Sequence, residues 1–302
     1  MVHDTILDAL AVETEPFALC ELAPHGRLPM AAGPSATLHY VLSGAGEFTV
    51  AGGAPMALET GALVLVPAGL RHSLTGKAGA PVTLAACQPA ALGLRHYRSG
   101  APGEGIAVLC GRVTLGLRGA GAVVDILRAP LIEPAAGAGV PGRALDLVVD
   151  ELAEPRLGSR AMVRTLLLEC LIDLLRHRLA ANDPALAWMP ALVDRRLWPA
   201  LQAMLDDPGG AHSVDSLAGR VAMSRSRFAA RFQQAYGSGP MALLRELRLV
   251  QAARLLVESD AGIDRVAELS GYASRSYFTQ QFEARFGRSP GRFRRDAVWL
   301  AD

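Results

Sequence analysis

Two segments in the last third of the chain repeat the same set of side chains suited to forming hydrogen bonds with another molecule. Their sequences are Met223-Ser-Arg-Ser-Arg-Phe-Ala-Ala-Arg-Phe232 and Ala273-Ser-Arg-Ser-Tyr-Phe-Thr-Gln-Gln-Phe282, offset by about 50 residues. Arginine can donate two hydrogen bonds to guanine, and glutamine can pair in the same way with adenine. These side chains therefore have the chemistry needed to read the edges of DNA bases.

The residues around each segment indicate two helices joined by a turn. Each copy has a small residue on a short helix, a serine that can cap the next helix, a glycine that can end it and a proline just beyond. These residues are Ala218, Ser224, Gly237 and Pro240 in the first copy, and Ala267, Ser274, Gly287 and Pro290 in the second. The sequence thus predicts two tandem helix-turn-helix units.

The second helix of each unit should have one buried and one free face. We expect the buried face to hold Phe228, Phe232 and Ala235 in the first unit, and Phe278, Phe282 and Arg285 in the second. The candidate DNA-binding residues on the free faces are Arg225, Ser226, Ala229, Ala230 and Gln233, and then Arg275, Ser276, Thr279 and Gln280. Alanine can contact only a thymine methyl group, so the first unit is expected to contribute less specificity.

The spacing and charge of this region also favour DNA as the partner. A helix is expected from Met241 to Val257, about 25 Å long, which could hold the two reading helices at neighbouring major grooves about 34 Å apart. Residues 195–302 contain 16 arginines and 11 acidic residues, a net charge of +5, whereas residues 1–194 have a net charge of −4. A basic half joined to an acidic half suggests that only the C-terminal half meets a polyanion.

The C-terminal sequence resembles the signature of the AraC/XylS family of transcription regulators over about residues 195–295. The matching positions include Met223-Ser224, Arg248-Leu249, Gly271-Tyr272, Ser276-Tyr277-Phe278 and Ser289-Pro290. The resemblance implies two units that read adjacent major grooves of double-stranded DNA, with RNA polymerase as a further partner. It places the base-reading positions at Arg225, Ser226, Ala229 and Ala230, and at Arg275, Ser276, Thr279 and Gln280.

The N-terminal part reads as an all-β barrel or sandwich, because short apolar runs alternate with Gly-rich and Pro-rich breaks. The expected strands are 39–42, 47–50, 62–66, 82–84, 106–109, 113–115 and 123–127. The run Gly61-Ala-Leu-Val-Leu-Val-Pro-Ala-Gly-Leu-Arg-His72 resembles the second cupin motif, and Gly33 followed by His39 resembles the start of the first. This resemblance covers about residues 4–133 and implies a cupin-like sensor domain.

His39 and His72 are the candidate residues of an effector pocket in this barrel. Cupins that bind a metal typically use three histidines and a glutamate, but Val41 stands where a second histidine of the motif is expected and Glu47 is displaced. Two histidines make a poor catalytic metal site, so we expect no metal and no cofactor. Hydrogen-bonded barrel residues and pocket-lining residues both remain possible roles for the two histidines.

An apolar stripe predicts a helix from about Ala161 to Leu179, with Val163, Leu167, Cys170, Leu171, Leu174 and Leu175 on one face. The stripe could pack on the barrel of its own chain or join two chains in a homodimer. The expected organisation is a sensor domain at 1–135, a helical linker with dimerisation helices at 136–191 and a DNA-binding domain at 192–302. The fold class is α+β multidomain, with an N-terminal all-β cupin-like barrel and a C-terminal all-α domain.

The sequence also indicates the location and the functional class of the protein. The longest apolar runs are too short to span a bilayer, no basic-then-apolar signal segment opens the chain, and the four cysteines form no CxxC motif. We therefore expect a cytoplasmic protein that is not an enzyme. The expected function is sequence-specific DNA binding and transcription regulation as an activator, under the control of an unknown small-molecule effector. The alternatives are a metal-dependent cupin enzyme with a helical appendage and an effector-independent dimeric DNA-binding protein.

Overall fold

A computed structural model describes residues 10–50, 53–76, 83–100, 105–117, 120–122, 127–134 and 142–298. Strands fill the N-terminal part and helices the C-terminal part, which confirms the predicted α+β multidomain class. The expected strand at 123–127, apart from Leu127, and the expected boundary at 135–136 lie outside the described residues. Within the described ranges, no helix is both long and apolar enough to span a membrane.

The strands are β1 (Leu10–Leu22), β2 (Gly26–Met30), β3 (Ala36–Val50), β4 (Met56–Glu59), β5 (Leu63–Val66), β6 (His72–Gly76), β7 (Thr83–Leu84), β8 (Ala86–Pro89), β9 (Arg95–Ser99), β10 (Ile106–Leu117), β11 (Ala120–Ala122) and β12 (Leu131–Glu133). The helices are α1 (Gly142–Ala153), α2 (Ser159–Ala180), α3 (Trp198–Asp206), α4 (Val214–Arg220), α5 (Arg225–Tyr236), α6 (Pro240–Glu258), α7 (Ile263–Leu269), α8 (Arg275–Phe286) and α9 (Pro290–Val298). Short 3₁₀ turns lie at Ala91–Gly93, Pro184–Leu186 and Met189–Val193.

Strand β3 joins two runs that the sequence analysis had separated at residues 44–46. Gly44 has a φ of +80° and bends the strand. The first part of β3 pairs with β5 and β10, and its second part pairs with β4 and β6. A Cβ atom at Gly44 would lie 1.8 Å from the Gly105 carbonyl oxygen, so only glycine fits this bend. Strand β10 likewise joins the expected runs 106–109 and 113–115.

Side chains along β3 alternate between the two sides of the barrel wall. Leu38 and Tyr40 belong to the core that lies beneath α2, whereas Val41 belongs to the core inside the barrel. His39 shares the inner side, where it contacts His72 and Cys110. The period-2 pattern of a strand therefore places His39 inside the barrel, as predicted.

Helix α2 packs its apolar stripe against the outside of its own barrel. The stripe is fully buried and shares a core with β3 and β10. The interpretation that the stripe joins two chains is therefore wrong for this face, because these side chains are already covered. The stripe residues are Val163, Leu167, Cys170, Leu171, Leu174 and Leu175.

The same core continues into the first helix-turn-helix unit. It runs from the barrel through α2, the turn at Met189–Val193 and α3 to Phe228 and Phe232 of α5. The second unit has a core of its own, formed by α6 to α9, and Ala32 is the barrel residue that is buried in it. The first helix-turn-helix unit thus shares its hydrophobic core with the sensor half, whereas the second unit has a separate core.

Candidate nucleic-acid interface and barrel cavity

Three aromatic rings anchor each reading helix to the body of its unit. The rings that follow one another along α5 or α8 have centroids 4.4–5.6 Å apart. The third anchor of each helix comes one residue later than predicted, because Tyr236 and Phe286 are buried while Ala235 and Arg285 are only half-buried. The anchors are Phe228, Phe232 and Tyr236 in α5, and Phe278, Phe282 and Phe286 in α8.

The predicted base-reading side chains lie on the opposite, solvent-facing sides of these helices. Ala229 and Thr279 are half-buried, and the other predicted positions are exposed. The exposure pattern is identical at matching positions of the two helices. The exposed positions are Arg225, Ser226, Ala230 and Gln233 in α5, and Arg275, Ser276 and Gln280 in α8.

The ends of the reading helices follow the predicted signals, with one difference. Gly237 and Gly287 both have a φ of +69° and stand directly after the last helical residue. The Ser274 side chain accepts a hydrogen bond from the Tyr277 backbone N–H at 3.4 Å, so it caps α8 as predicted. Ser224 occupies the same position before α5, but its side chain forms no capping hydrogen bond.

Each reading helix begins with an arginine that is paired with an aspartate of the preceding helix. Arg225 Nη1 lies 3.2 Å from Asp215 Oδ2, and Arg275 Nη1 lies 2.9 Å from Asp264 Oδ2. The four side chains are 60–71% exposed, so each pair contributes little to stability and can separate in favour of another anion. The sequence analysis missed these pairs, although Asp215 and Asp264 occupy equivalent positions in the repeat.

His39 and His72 meet inside the barrel in a chain of polar contacts. The two Nε2 atoms are 2.9 Å apart, and His39 Nδ1 lies 3.1 Å from Cys110 Sγ. The Leu70 carbonyl oxygen can only accept, so the proton on His72 lies on Nδ1, which is 3.1 Å from that oxygen. His72 Nε2 then accepts from His39 Nε2–H, and His39 Nδ1 accepts from the Cys110 thiol.

Burial keeps all three of these side chains uncharged. It lowers the pKa of His72 from 6.5 to about 4, against a smaller opposing effect of the Leu70 carbonyl. It also lowers the pKa of His39, and the neighbouring His72 adds to that effect. The neighbouring Cys20 thiol, whose sulfur lies 3.5 Å away, and burial together raise the pKa of the Cys110 thiol. In the described part of the chain, no cluster of three or more His, Cys, Asp or Glu side chains is arranged to hold a metal ion.

A cavity of about 430 Å³ opens at the end of the barrel that faces the DNA-binding half. His72 lines it, whereas His39 is fully buried behind His72. The structure therefore brings the two predicted pocket residues together, but of these two it is His72 that lines the cavity. Val257 of α6 forms part of the wall, so both halves of the chain enclose this space.

Three arginines of the cavity wall were not found by the sequence analysis. They are Arg95 on β9, Arg112 on β10 and Arg160 on α2. Neither Arg95 nor Arg112 belongs to a known motif, so only the strand pairing of the folded chain reveals that they share a site with His72.

The turn at residues 67–71 touches both the cavity and the second unit. Pro67, Leu70 and His72 line the cavity, and Arg285 Nη2 donates a hydrogen bond to the Ala68 carbonyl oxygen at 3.4 Å. A Cβ atom at Gly69 would lie 2.2 Å from the Phe286 ring. The cupin-type turn is therefore the surface on which the end of α8 rests.

Comparison with known proteins gives two domain assignments. The cupin family profile matches residues 4–180, which includes α1 and α2, and a helix-turn-helix domain profile matches residues 217–296. The transcriptional regulator AlkR of Acinetobacter baylyi is 36% identical over 126 residues, 42% of this chain and 41% of that protein. RclR of Escherichia coli, named an RCS-specific transcriptional activator, is 40% identical over 110 residues, 36% of this chain and 39% of that protein.

These matches span about two fifths of the length of the two relatives. Among solved structures, ToxT of Vibrio cholerae aligns with 94% of this chain and 97% of its own, at 11% identity and a TM-score of 0.48.

Proposed function

The chain belongs to the AraC/XylS family of transcription regulators and has a cupin domain at its N-terminal end, and we propose that it is an effector-controlled activator. In this proposal α5 and α8 read adjacent major grooves of a promoter. An effector in the barrel cavity controls that binding, and the bound protein contacts RNA polymerase. The name of RclR as an activator supports this direction of regulation.

The proposal that α5 and α8 read DNA bases is supported by the identical exposure of corresponding residues in the two helices. The buried aromatic anchors fix the orientation of α5 and α8, so the polar side chains at their N-terminal ends have no role in the core. Base edges in a major groove are the partner that suits arginine, serine and glutamine on such a helix. Arg225 and Arg275 add positive charge at the edge of this surface once they leave their aspartates.

The observation that carries effector control is the shared wall of the cavity. A ligand there would contact residues of the turn at 67–71, which also holds the end of α8. Ligand binding can shift an equilibrium only if the ligand interacts differently with two states, and a cavity between two domains provides that condition. The wall shared by the barrel and the DNA-binding half favours an effector site over both alternatives, the cupin enzyme and the effector-independent dimer.

We also propose that the chain forms a homodimer, through a surface other than the stripe of α2. Exposed apolar side chains lie on α1 and around the start of α2, at Leu147, Leu157 and Met162. Exposed apolar side chains on neighbouring elements suit an interface between two copies. Two copies would place four reading helices on one promoter.

A mobility shift on random duplex DNA with the full chain tests the core of this proposal. We expect binding at low salt that weakens steeply as salt rises, because phosphate contacts release counterions. Transcription from a selected promoter with purified RNA polymerase should then rise when the protein is added. Failure to bind any duplex at low salt would contradict DNA binding, and reduced transcription would contradict activation.

A further inference from the structure

The two helix-turn-helix units are joined by α6, and the boundary between their cores falls at Arg248. Leu244 and Leu247 belong to the core of the first unit, whereas Leu249 and Ala252 belong to the core of the second. Arg248 stands between these two sets on the same helix and is half-buried. A long side chain at this boundary can reach both units, so its contacts bear on how the units are held relative to each other.

The Arg248 guanidinium holds the loop at 207–212, which belongs to the first unit. Its Nε atom donates to the Pro208 carbonyl oxygen at 2.9 Å, and its Nη2 atom donates to the Gly210 carbonyl oxygen at 2.8 Å. The loop lies between α3 and α4, two helices that share the first core. Because the guanidinium is planar and rigid, its two hydrogen bonds fix the position and the direction of the loop.

The same guanidinium lies against residues 269–271, the turn that precedes the second reading helix. A Cβ atom at Gly271 would lie 2.8 Å from Arg248 Cζ and 2.6 Å from the Gly209 carbonyl oxygen. A Cβ atom at Gly209 would in turn lie 2.1 Å from the Leu269 carbonyl oxygen. The loop of the first unit and the turn of the second are thus in close backbone contact, and Arg248 packs on both. We call this contact of residues 207–212, residues 269–271 and Arg248 the inter-unit joint.

Arg248 brings a positive charge into the inter-unit joint. Burial lowers the pKa of Arg248, while the neighbouring Tyr272 and Asp207 oppose that shift. Arginine stays protonated in proteins, and hydrogen bonds from a charged donor are stronger than those between neutral groups. Arg248 belongs to neither hydrophobic core. Loss of its guanidinium should therefore loosen the joint and leave both cores in place.

We propose that Arg248 is a positioning residue that sets the angle and the distance between α5 and α8, and so determines which spacing of two half-sites the chain accepts. This inference rests on the proposed reading of adjacent major grooves by these two helices. B-DNA turns by about 35° and rises by about 3.4 Å with each base pair, so one added base pair both rotates and displaces a half-site. A rigid joint should reject the displaced half-site, and a loosened joint should tolerate it.

Mobility shifts with the full chain on a graded set of duplexes test this role. Each duplex carries the two half-sites that the parent protein selects from random DNA, either at the selected spacing or with one to three base pairs added between them. We expect the parent to bind the selected spacing at least about tenfold more tightly than a spacing one base pair longer, an effect comparable to that of a mismatched base pair. Arg248→Met, which keeps an unbranched apolar stem, should reduce this ratio to about threefold or less.

Arg245→Met is the matched control, because Arg245 is an exposed arginine one turn earlier on α6. Loss of its charge can weaken binding to every duplex alike, but the ratio between spacings should stay at the parent value.

A pair of glycine variants tests the joint with the charge of Arg248 left in place. Gly209→Ala should reduce the ratio as Arg248→Met does, because its Cβ would overlap the Leu269 carbonyl oxygen. Gly219→Ala should keep the parent ratio, since no atom of the described neighbours lies within 4 Å of its Cβ position.

Three results would overturn the inference. Arg248→Met, shown by thermal unfolding to be folded, could keep the parent ratio, Arg245→Met could lower the ratio as much, or the parent could bind all spacings equally. If Arg248→Met does not fold, a parent ratio in Gly209→Ala overturns the inference instead. Each of these results differs from failure of the proposed function, in which the parent protein binds no duplex at low salt.

Discussion

Arg275 and Gln280 are the side chains of α8 best suited to distinguish one base from another. Both are exposed, and Arg275 forms an ion pair with the exposed Asp264, which contact with DNA can replace. The equivalent positions of α5 are Arg225 and Ala230. Because alanine cannot form hydrogen bonds through its side chain, the second unit should supply most of the base-specific contacts.

We expect Gln280→Ala to relax the base preference at one position of the second half-site. The loss of a two-bond contact to adenine should cost about 1–3 kcal/mol of discrimination. Selection of binding sites from random DNA by the variant and the parent protein measures the change. If Gln280→Ala leaves the selected sequence unaltered while Ser226→Ala relaxes it, the first unit is the main reader.

The buried imidazoles predict a stability that depends on pH. The pKa values of His39 and His72 are lower in the folded than in the unfolded chain, so the unfolded chain takes up protons first. The contribution of His72 to stability is full above the ordinary pKa of 6.5 and is lost as the pH falls towards about 4, and His39 acts in the same direction. The midpoint of urea unfolding should therefore drop between pH 7 and pH 5.

The pair His72→Gln and His177→Gln tests that assignment. His72→Gln should flatten the dependence on pH, and His177→Gln, at a residue 36% exposed on α2 and outside the barrel, controls for the loss of a histidine as such. An unchanged slope in the His72→Gln protein would show that other groups cause the acid sensitivity.

At the scale of elements, the turn at 67–71 connects the cavity to a reading helix. Gly69 has a φ of +79° and contacts Phe286, while its neighbour Leu70 lines the cavity and its carbonyl oxygen accepts a hydrogen bond from His72 Nδ1–H. Phe286 is the last residue of α8 and one of its aromatic anchors. A ligand that moves this turn would therefore act directly on the helix that carries Arg275 and Gln280.

We expect Gly69→Ala to disturb the contact between the barrel and the second unit. Its Cβ would overlap the Phe286 ring, so the two halves must separate, and the effect of a ligand on DNA binding should be largely lost. Gly158→Ala is the matched control, because Gly158 has a φ of +88° and no atom lies within 4 Å of its Cβ position. Equal behaviour of the two variants in mobility shifts with and without ligand would show that backbone strain alone explains the result.

Helix α2 illustrates how one element can have different roles on its two sides. Leu167 is fully buried against the barrel, whereas Met162 is 48% exposed on the other side. Leu167→Ala should lower the free energy of unfolding by about 2–5 kcal/mol, as is usual for a cavity in a core.

Met162→Asp should leave thermal stability nearly unchanged and convert dimers to monomers in light scattering. A parent protein that is monomeric at micromolar concentration would contradict the dimer.

At the scale of the whole molecule, the parts with a local pattern were predictable and those assembled by distant contacts were not. The two reading helices followed from Phe228, Phe232 and their counterparts, since a repeat fixes both period and ends. The bend at Gly44 was missed, because only the close approach of Gly105 explains why the strand continues through it.

Some residues of the candidate sites could likewise be predicted from the sequence, and others could not. The exposed reading positions could be placed from helix geometry alone. Arg95 and Arg112 could not be assigned to the cavity, because β9 and β10 are brought beside β1 by pairing between residues about 77–107 positions apart in the chain. The role of the α2 stripe also stayed open in the sequence, since a barrel and a second chain offer the same apolar partner.

Two reading helices of one chain should recognise two adjacent stretches of DNA. Selection of sites by the full chain from a pool of random duplexes, followed by sequencing, measures this recognition. We expect two enriched motifs per chain with centres about 10–10.5 base pairs apart, one helical turn, and with the stronger base preference in the motif that Gln280→Ala relaxes. Enrichment of no sequence, or of a single motif that variants of α5 and α8 leave unchanged, would contradict it.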